Sequence, residues 1–274
     1  MAGMRGFLKI IAVSVLMLWA GAAQAAPDRP VISIVIDDMG LNRKESAAAI
    51  MLPAAVTLSY LPYARHIQQQ VDEALAHGHE ILLHLPMEAD SPAENPGPNA
   101  IVTGLTEPEL QKRLADNFDA FEGYAGVNNH MGSRLTQDRA GLEIVMKEVQ
   151  RRGLFFLDSR TAANSLAEKI AREHGLPATR RDVFLDNTLA PEDIRAALIH
   201  LENIARATGS AVAIGHPKAA TLAALNAWLP TLEEKGFDIV PLSAVIDLRN
   251  RTCTASADML PKLLGYSSSE VFGE

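Results

Sequence analysis

The chain has 274 residues, 48% apolar and 21% charged, enough for one large α/β domain or two small ones with a substantial core. Its net charge of −8, with no Lys/Arg cluster beyond the first residues, argues against a nucleic-acid partner. The single cysteine, Cys253, excludes an intramolecular disulfide framework and a cysteine-based zinc knuckle.

At the N-terminus Arg5 and Lys9 precede an apolar run from Ile10 to Ala22, and Ala23-Gln24-Ala25 supplies a small-x-small cleavage signature. Residues 1–25 read as a bacterial-style signal peptide cut after Ala25, with an uncleaved anchor as the rival. The run is short for a membrane span, so membrane contact is expected only if this segment stays attached. Either way the body of the chain, residues 26–250, is expected outside the cytoplasm, periplasmic or secreted. The tail, 251–274, is weakly patterned and is expected to be partly disordered.

From Val31 short apolar runs alternate with longer amphipathic stretches. The runs predict strands at 31–36, 55–60, 79–84, 125–129, 154–158, 182–186, 210–215 and 237–241. The stretches between them predict helices near 43–51, 64–77, 107–121, 137–152, 164–174, 191–207 and 218–235. Thr106, Thr136 and Pro191 mark helix starts, and Gly78, Gly153, Gly175, Gly209 and Gly236 mark stops. Seven or eight βα units in series predict a parallel sheet, either open and doubly wound or closed as a (β/α) barrel. Residues 86–104, rich in Pro and Gly and without periodicity, read as a long functional loop following a candidate site strand.

The strand Val31–Ile36 is mostly β-branched and reads as buried on both faces, yet it ends in Asp37-Asp38-Met39-Gly40. Two carboxylates closing a core strand need water, a cation or a hydrogen-bond network. The plainer reading is that one of them caps the helix beginning near Asn42. Other predicted strand ends are also polar: His84, the run Asn128-Asn129-His130-Met131-Gly132-Ser133-Arg134, then Asp158-Ser159-Arg160, Asp186-Asn187 and Gly215-His216-Pro217. In a barrel these ends share one mouth, where catalytic residues of such folds collect. Histidines with an aspartate at one mouth suit a divalent metal, Zn²⁺ first, with a position kept open for water. A nearby carboxylate then serves as general base and a separate histidine as general acid. His66, His77, His79, His174 and His200 sit on or beside predicted helices and read as surface or capping residues.

The segment Gly78-His79-Glu80-Ile81-Leu82-Leu83-His84 resembles the second motif of the NodB-type polysaccharide deacetylases, and Ile36-Asp37-Asp38 resembles their first. Gly215-His216-Pro217 stands where their last motif supplies a catalytic histidine. With His84-Leu85-Pro86-Met87-Glu88 and Asn128–Ser133, the set is similar to the divergent polysaccharide deacetylase branch, from about Val31 to Asp247. The resemblance implies a distorted seven-stranded parallel barrel. It also implies a metal-dependent hydrolase that takes acetyl groups from a cell-envelope polysaccharide or peptidoglycan-type glycan. Carried over residue by residue, Asp37 is the general base, Asp38 and His84 are metal ligands, and His216 is the general acid, oriented by Asp158 or Asp186. The family's second metal histidine falls on Glu88, so either Glu88 or, preferably, His130 completes the metal site. Asn129, Arg134 and Arg160 are supporting or substrate-binding candidates, the arginines with a solvated surface role as an equal reading. The departure at Glu88 also motivates a second hypothesis, a catalytically degenerate barrel that binds a glycan or an envelope protein. A third is an amidase or phosphoesterase using the same strand ends. Aromatic content of 5% leaves few sugar-stacking platforms, which mildly disfavours a processive enzyme.

Overall fold

A computed structural model describes residues 29–251. The expected signal segment, 1–25, and the tail after residue 251 lie outside the described residues. Nine strands form: β1 (Val31–Met39), β2 (Thr57–Tyr60), β3 (Ile81–Met87), β4 (Gly126–Met131), β5 (Phe155–Asp158), β6 (Ala178–Arg180), β7 (Val183–Phe184), β8 (Ser210–Gly215) and β9 (Asp238–Ile239). Helices α1 (Arg43–Ile50), α2 (Ile67–Ala76), α3 (Glu107–Phe118), α4 (Arg139–Arg151), α5 (Ala167–Glu173), α6 (Pro191–Thr208) and α7 (Ala219–Trp228) lie between them. A last helix, α8, spans 242–251. Among the described residues no helix is long and apolar enough to cross a membrane.

Every strand pairing is parallel, in the order β6-β5-β4-β3-β2-β1-β8-β7, with β9 beside the first residues of β1. The barrel expected from the family resemblance is therefore present but open, with eight strands along the path and a ninth beside it rather than seven. Its two end strands, β6 and β7, do not pair, and the chain itself crosses the seam. Arg181 N–H donates to the Asp158 carbonyl (2.9 Å), and the next residue, Asp182, donates to Val212 (2.9 Å). Arg249 of α8 ties the seam, donating to the Thr179 hydroxyl (2.8 Å), the Asp182 carboxylate (2.6 Å) and the Ser210 hydroxyl (2.9 Å).

Several boundaries differ from the sequence expectation, each for a local reason. The strand expected at 182–186 shrinks to β7, of two residues, and a three-residue strand not expected from the sequence, β6, precedes it; pieces so short show no alternation. The helix expected to run from 218 to 235 stops at Trp228 and tightens into a 3₁₀ turn at Leu229–Thr231, where Pro230 has no N–H to continue it. Thr136 gives its hydroxyl to Gly132 rather than to a helix start. Asp138 caps α4 instead, accepting from Ala140 and Gly141 N–H.

Side chains alternate across each strand. Ile32, Ile34 and Ile36 pack outward under the helices, whereas Val31 and Val35 point into the barrel. There they meet Leu82, Phe155, Leu157, Val212 and Ile214, and α8 closes the floor with Leu242, Val245 and Ile246. At about 25 cal/mol per Å² of apolar surface removed from water, this plug and the outer helical layer supply most of the drive to fold. The same alternation carries polar side chains inward near the C-terminal ends: Ser59 on β2, His84 on β3, Asn128 on β4 and Asp37 on β1.

Candidate active site

Asp37 and Asp38 are consecutive, so a regular strand would send them to opposite faces. The β1–β2 register slips here: Ile36 pairs with Leu58 and Met39 with Tyr60, leaving two residues of β1 opposite Ser59 alone. Asp38 takes up the extra residue in the left-handed region, φ 56°. A bulge with its odd residue in that region re-aims a side chain, and here it turns both carboxylates towards the barrel mouth. Gly40, at φ 102°, then makes a turn where a Cβ would lie 2.6 Å from that of Ala64. Ser46 Oγ accepts from Gly40 N–H (2.9 Å), and Gln70 Nε2 donates to the Gly40 carbonyl (3.2 Å). Met131 and Arg160, at the ends of β4 and β5, are also left-handed, at 52° each.

Asp38 Oδ1, His84 Nε2 and His130 Nδ1 converge, from the ends of β1, β3 and β4. Asp38 Oδ1 is 3.4 Å from His84 Nε2 and 2.9 Å from His130 Nδ1, and the two nitrogens are 3.2 Å apart. A tetrahedral zinc with bonds of about 2.0–2.1 Å spaces its ligands by roughly 3.3–3.4 Å, so the triangle fits such an ion. A second observation agrees. Asp38 Oδ1 is buried and has no satisfying hydrogen-bond geometry among the described residues, although His130 Nδ1 stands 2.9 Å away. A buried anionic oxygen facing two imidazoles without a donor is what a divalent cation would satisfy. Among the described residues, these three are the group of side chains placed to hold one.

The residue behind the cluster is Asn128, fully buried. Its Nδ2 donates to Asp37 Oδ1 (2.8 Å) and to Ser159 Oγ (3.2 Å). A carboxylate only accepts, so the amide's orientation follows, and Oδ1 must receive the Ser59 hydroxyl (2.6 Å) and His84 Nδ1 (2.8 Å). His84 therefore carries its proton on Nδ1 and turns the Nε2 lone pair to the cluster, the outer-shell arrangement that orients metal-binding histidines. Burial raises the Asp37 carboxyl above its ordinary range, with His84 and His216 opposing. Burial would raise Asp38 too, but the imidazoles of His130 and His84 outweigh it and hold that carboxyl far below the usual range. Burial lowers His84, and the charges of Asp37 and Asp38 more than offset it.

Across the cleft, His216 follows β8. Asp186 accepts from its Nδ1 (3.0 Å), from its backbone N–H (2.7 Å) and from the Thr221 hydroxyl (2.7 Å). Burial opposes the imidazolium, but this hydrogen bond and the charge of Asp186 push His216 up to about 8. His216 Nε2 faces the cluster 3.7 Å from Asp38 Oδ2. Asp37, Asp38, His84, His130 and His216 line one cavity of about 550 Å³ together with Asn129, Ser159, Arg160, Arg181 and Phe184.

Not every expected site residue stands there. Asp158, expected beside His216, is fully buried and faces outward: by the alternation of β5, Leu157 points into the barrel and Asp158 does not. Its carboxylate accepts from Arg160 N–H (2.8 Å), the Ser165 hydroxyl (2.8 Å) and Glu168 N–H (3.3 Å), fastening the turn into α5. Asp186 is the residue that holds His216. Glu88 turns to the 86–104 loop, accepting from Thr103 N–H and hydroxyl (2.6 Å each) with Arg134 Nε at 3.5 Å, so it stands away from the metal cluster and Arg134 pairs with it. Asn129 ties two strand ends, accepting from Ser159 N–H (2.9 Å) and donating to the Met131 carbonyl (2.7 Å). Sequence reading passed over the roles of Ser59, Asn128 and Arg181. For Ser59 and Asn128 a signal existed, a polar residue at an inward parity position of a core strand. Arg181 lies in the unrecognised gap between β6 and β7.

A family model described as divergent polysaccharide deacetylase matches residues 34–246. An uncharacterized protein of Haemophilus influenzae is 36% identical over 203 residues, covering 74% of this chain and 72% of that one. The crystal structure of an uncharacterized protein from Agrobacterium tumefaciens superposes with a TM-score of 0.77 at 33% identity, over 83% of this chain and 91% of that one. The catalytic domain of a peptidoglycan N-acetylglucosamine deacetylase from Eubacterium rectale shares the fold at 13% identity, with a TM-score of 0.51 over 81% and 93% of the two chains.

Proposed function

Because the chain belongs to the divergent polysaccharide deacetylase family, we propose that it is a metal-dependent hydrolase that removes acetyl groups from a cell-envelope glycan outside the cytoplasm. The observation that carries the reading is the convergence, in one cavity, of a three-atom cation site, a buried carboxylate and an imidazole held by Asp186. Asp38, His84 and His130 would hold the divalent ion, Zn²⁺ by ligand chemistry. When bound, it would polarise an acyl carbonyl and acidify a water.

The remaining work falls to the chain. Asn128 occupies Oδ1 of Asp37, which leaves Oδ2 to accept the proton of the attacking water. Asp186 fixes the Nδ1 proton of His216, so Nε2–H is directed into the cleft. It protonates the departing nitrogen or oxygen as the acyl bond breaks, leaving acetate and a free amine or hydroxyl. Displacement of His216 to about 8 keeps it protonated, and so competent as an acid, at neutral pH. The degenerate-barrel alternative drew on Glu88 replacing a metal histidine. With His130 in the cluster that motive is lost, and the hydrolase reading is favoured.

The test is elemental analysis of the purified protein together with acetate release from acetylated aminosugar oligomers and acetyl esters. About one ion per chain and acetate production support the reading. An ion with no acetate from any of these points to an amidase or phosphoesterase instead, and no ion even in excess zinc overturns the metal-dependent reading.

A further inference from the structure

Arg181 sits at the seam where the chain crosses between β6 and β7, half-buried in the cavity wall. Its guanidinium lies over the Phe184 ring, 5.0 Å from the centroid. Nε donates to the Ser159 carbonyl (2.7 Å) and Nη2 to the Arg160 carbonyl (2.9 Å). Nη1 has no hydrogen-bond partner among the described residues, and no carboxylate lies within 4 Å of the side chain. Its hydrogen bonds thus go to neutral carbonyls alone; burial lowers its affinity for the proton, and the more distant charges of Asp37, Asp158 and Asp182 only partly offset this. The Arg160 guanidinium beside it donates only to the Ala163 carbonyl (2.8 Å) and likewise has no carboxylate within 4 Å among the described residues, Asp158 being held by the Arg160 backbone N–H instead. Half-buried guanidiniums in a cleft are normally matched by an acid, since an unpaired charge out of water is costly.

A second observation gives the pair a direction. Arg160 and Arg181 also line a neighbouring cavity of about 450 Å³, with Arg180 and Asp182 on its wall. The acids nearby are taken: Glu168 is 3.7 Å from Arg180, and Asp182 is held by Arg249 at 2.6 Å. The two arginines therefore form the ridge between the reaction cleft and an outer, positively lined depression. Phe184 joins them to the general acid, its ring 5.4 Å from that of His216. An anion on the ridge would belong to the sugar being processed or to its neighbour.

We propose that Arg160 and Arg181 bind a carboxylate carried by the glycan, and that its chain runs from the reaction cleft over this ridge into the outer cavity. A planar carboxylate suits the fixed guanidinium fork, and bonds of this charge-assisted kind are the stronger class. The substrate of the proposed deacetylase, on whose reading this rests, is then an acidic acetylated glycan rather than a neutral one.

The test measures equilibrium binding by calorimetry at two salt concentrations. Its probes are a tetramer of alternating N-acetylglucosamine and N-acetylmuramic acid with free carboxylates, the same tetramer with the carboxylates amidated, and a phosphorylated N-acetylglucosamine tetramer. The wild-type protein should prefer the free acid over the amide by roughly tenfold or more, less so at high salt. Arg160→Gln and Arg181→Gln should each reduce that preference severalfold and the double variant should remove it, with melting temperature and metal content recorded to exclude misfolding. Equal binding of acid and amide by the wild type, or a preference that survives both substitutions, overturns the proposal. Tighter binding of the phosphorylated tetramer than of the acid overturns the choice of carboxylate. Acetate release is measured separately on the free-acid tetramer at a saturating concentration. Its absence alongside an intact acid preference would count against the deacetylase reading and leave the arginine ridge standing.

Discussion

Replacing Asn128 by leucine, which branches at the same carbon though it is bulkier, keeps the inward position filled while removing every polar partner it serves. Four buried groups lose a hydrogen bond at once: the Ser59 hydroxyl, His84 Nδ1–H, Asp37 Oδ1 and the Ser159 hydroxyl. All belong to residues no more than 5% exposed, so water does not replace the loss. A buried group left without its partner costs about 1–3 kcal/mol, more where it is charged. Four together come to roughly 4–12 kcal/mol, less what the two serine hydroxyls recover by rotating. That is a large part of the ~5–15 kcal/mol typical of a folded domain. Urea unfolding of the metal-free protein measures it, with Ser59→Ala as the control. Ser59→Ala should cost only about 1 kcal/mol, because Asn128 Oδ1 keeps His84. The freed His84 tautomer should also weaken zinc binding by about 10–100-fold in any Asn128→Leu protein that folds. A destabilisation below about 1 kcal/mol would refute the claim that Asn128 is the hub of the site.

Zinc at 100 times its dissociation constant should stabilise the wild-type protein by about 2.7 kcal/mol, seen as a rise in melting temperature. Asp38→Ala and His130→Ala should abolish that rise, whereas Glu88→Gln and a substitution at His66 should retain it; a lost response in Glu88→Gln would contradict the ligand set. The acetate-release rate should fall as pH rises through about 8, where His216 loses its proton. A bound cation lowers that point, so about 8 is its upper bound. In Asp186→Asn, which removes the group raising His216, the fall should move to lower pH; an unmoved limb would separate it from His216. Asp158→Asn should destabilise the fold by about 1.5–3 kcal/mol, because a carboxylate oxygen accepting at the α5 turn becomes a donor, and should leave metal content unchanged.

Much of the architecture is legible in the chain because buried parallel strands are apolar on both faces. Val31–Ile36 and Ile81–Leu83 read as core strands, and the polar residues that end them, Asp37, Asp38 and His84, stand out by contrast. His130 and His216 carry the same signature after β4 and β8, and all five reach one cleft. The helix boundaries marked by Thr106, Pro191 and Gly209 held, whereas those marked by Thr136 and Gly236 did not.

What the chain order leaves open depends on direction and distance. Asp158 and Asp186 look alike as acids closing short apolar runs, yet only Asp186 reaches His216; Asp158 falls on the outward step of its strand. Glu88 and His130 were both credible third ligands, and the turn of the 86–104 loop, which draws Glu88 to Thr103, separates them. The left-handed bulge at Asp38, the floor made by α8 and the seam at Arg181 come from contacts between segments far apart in sequence. Periodicity reports which residues share a face of one element. Only packing of the elements decides which faces meet, and the metal site and arginine ridge are made where they do.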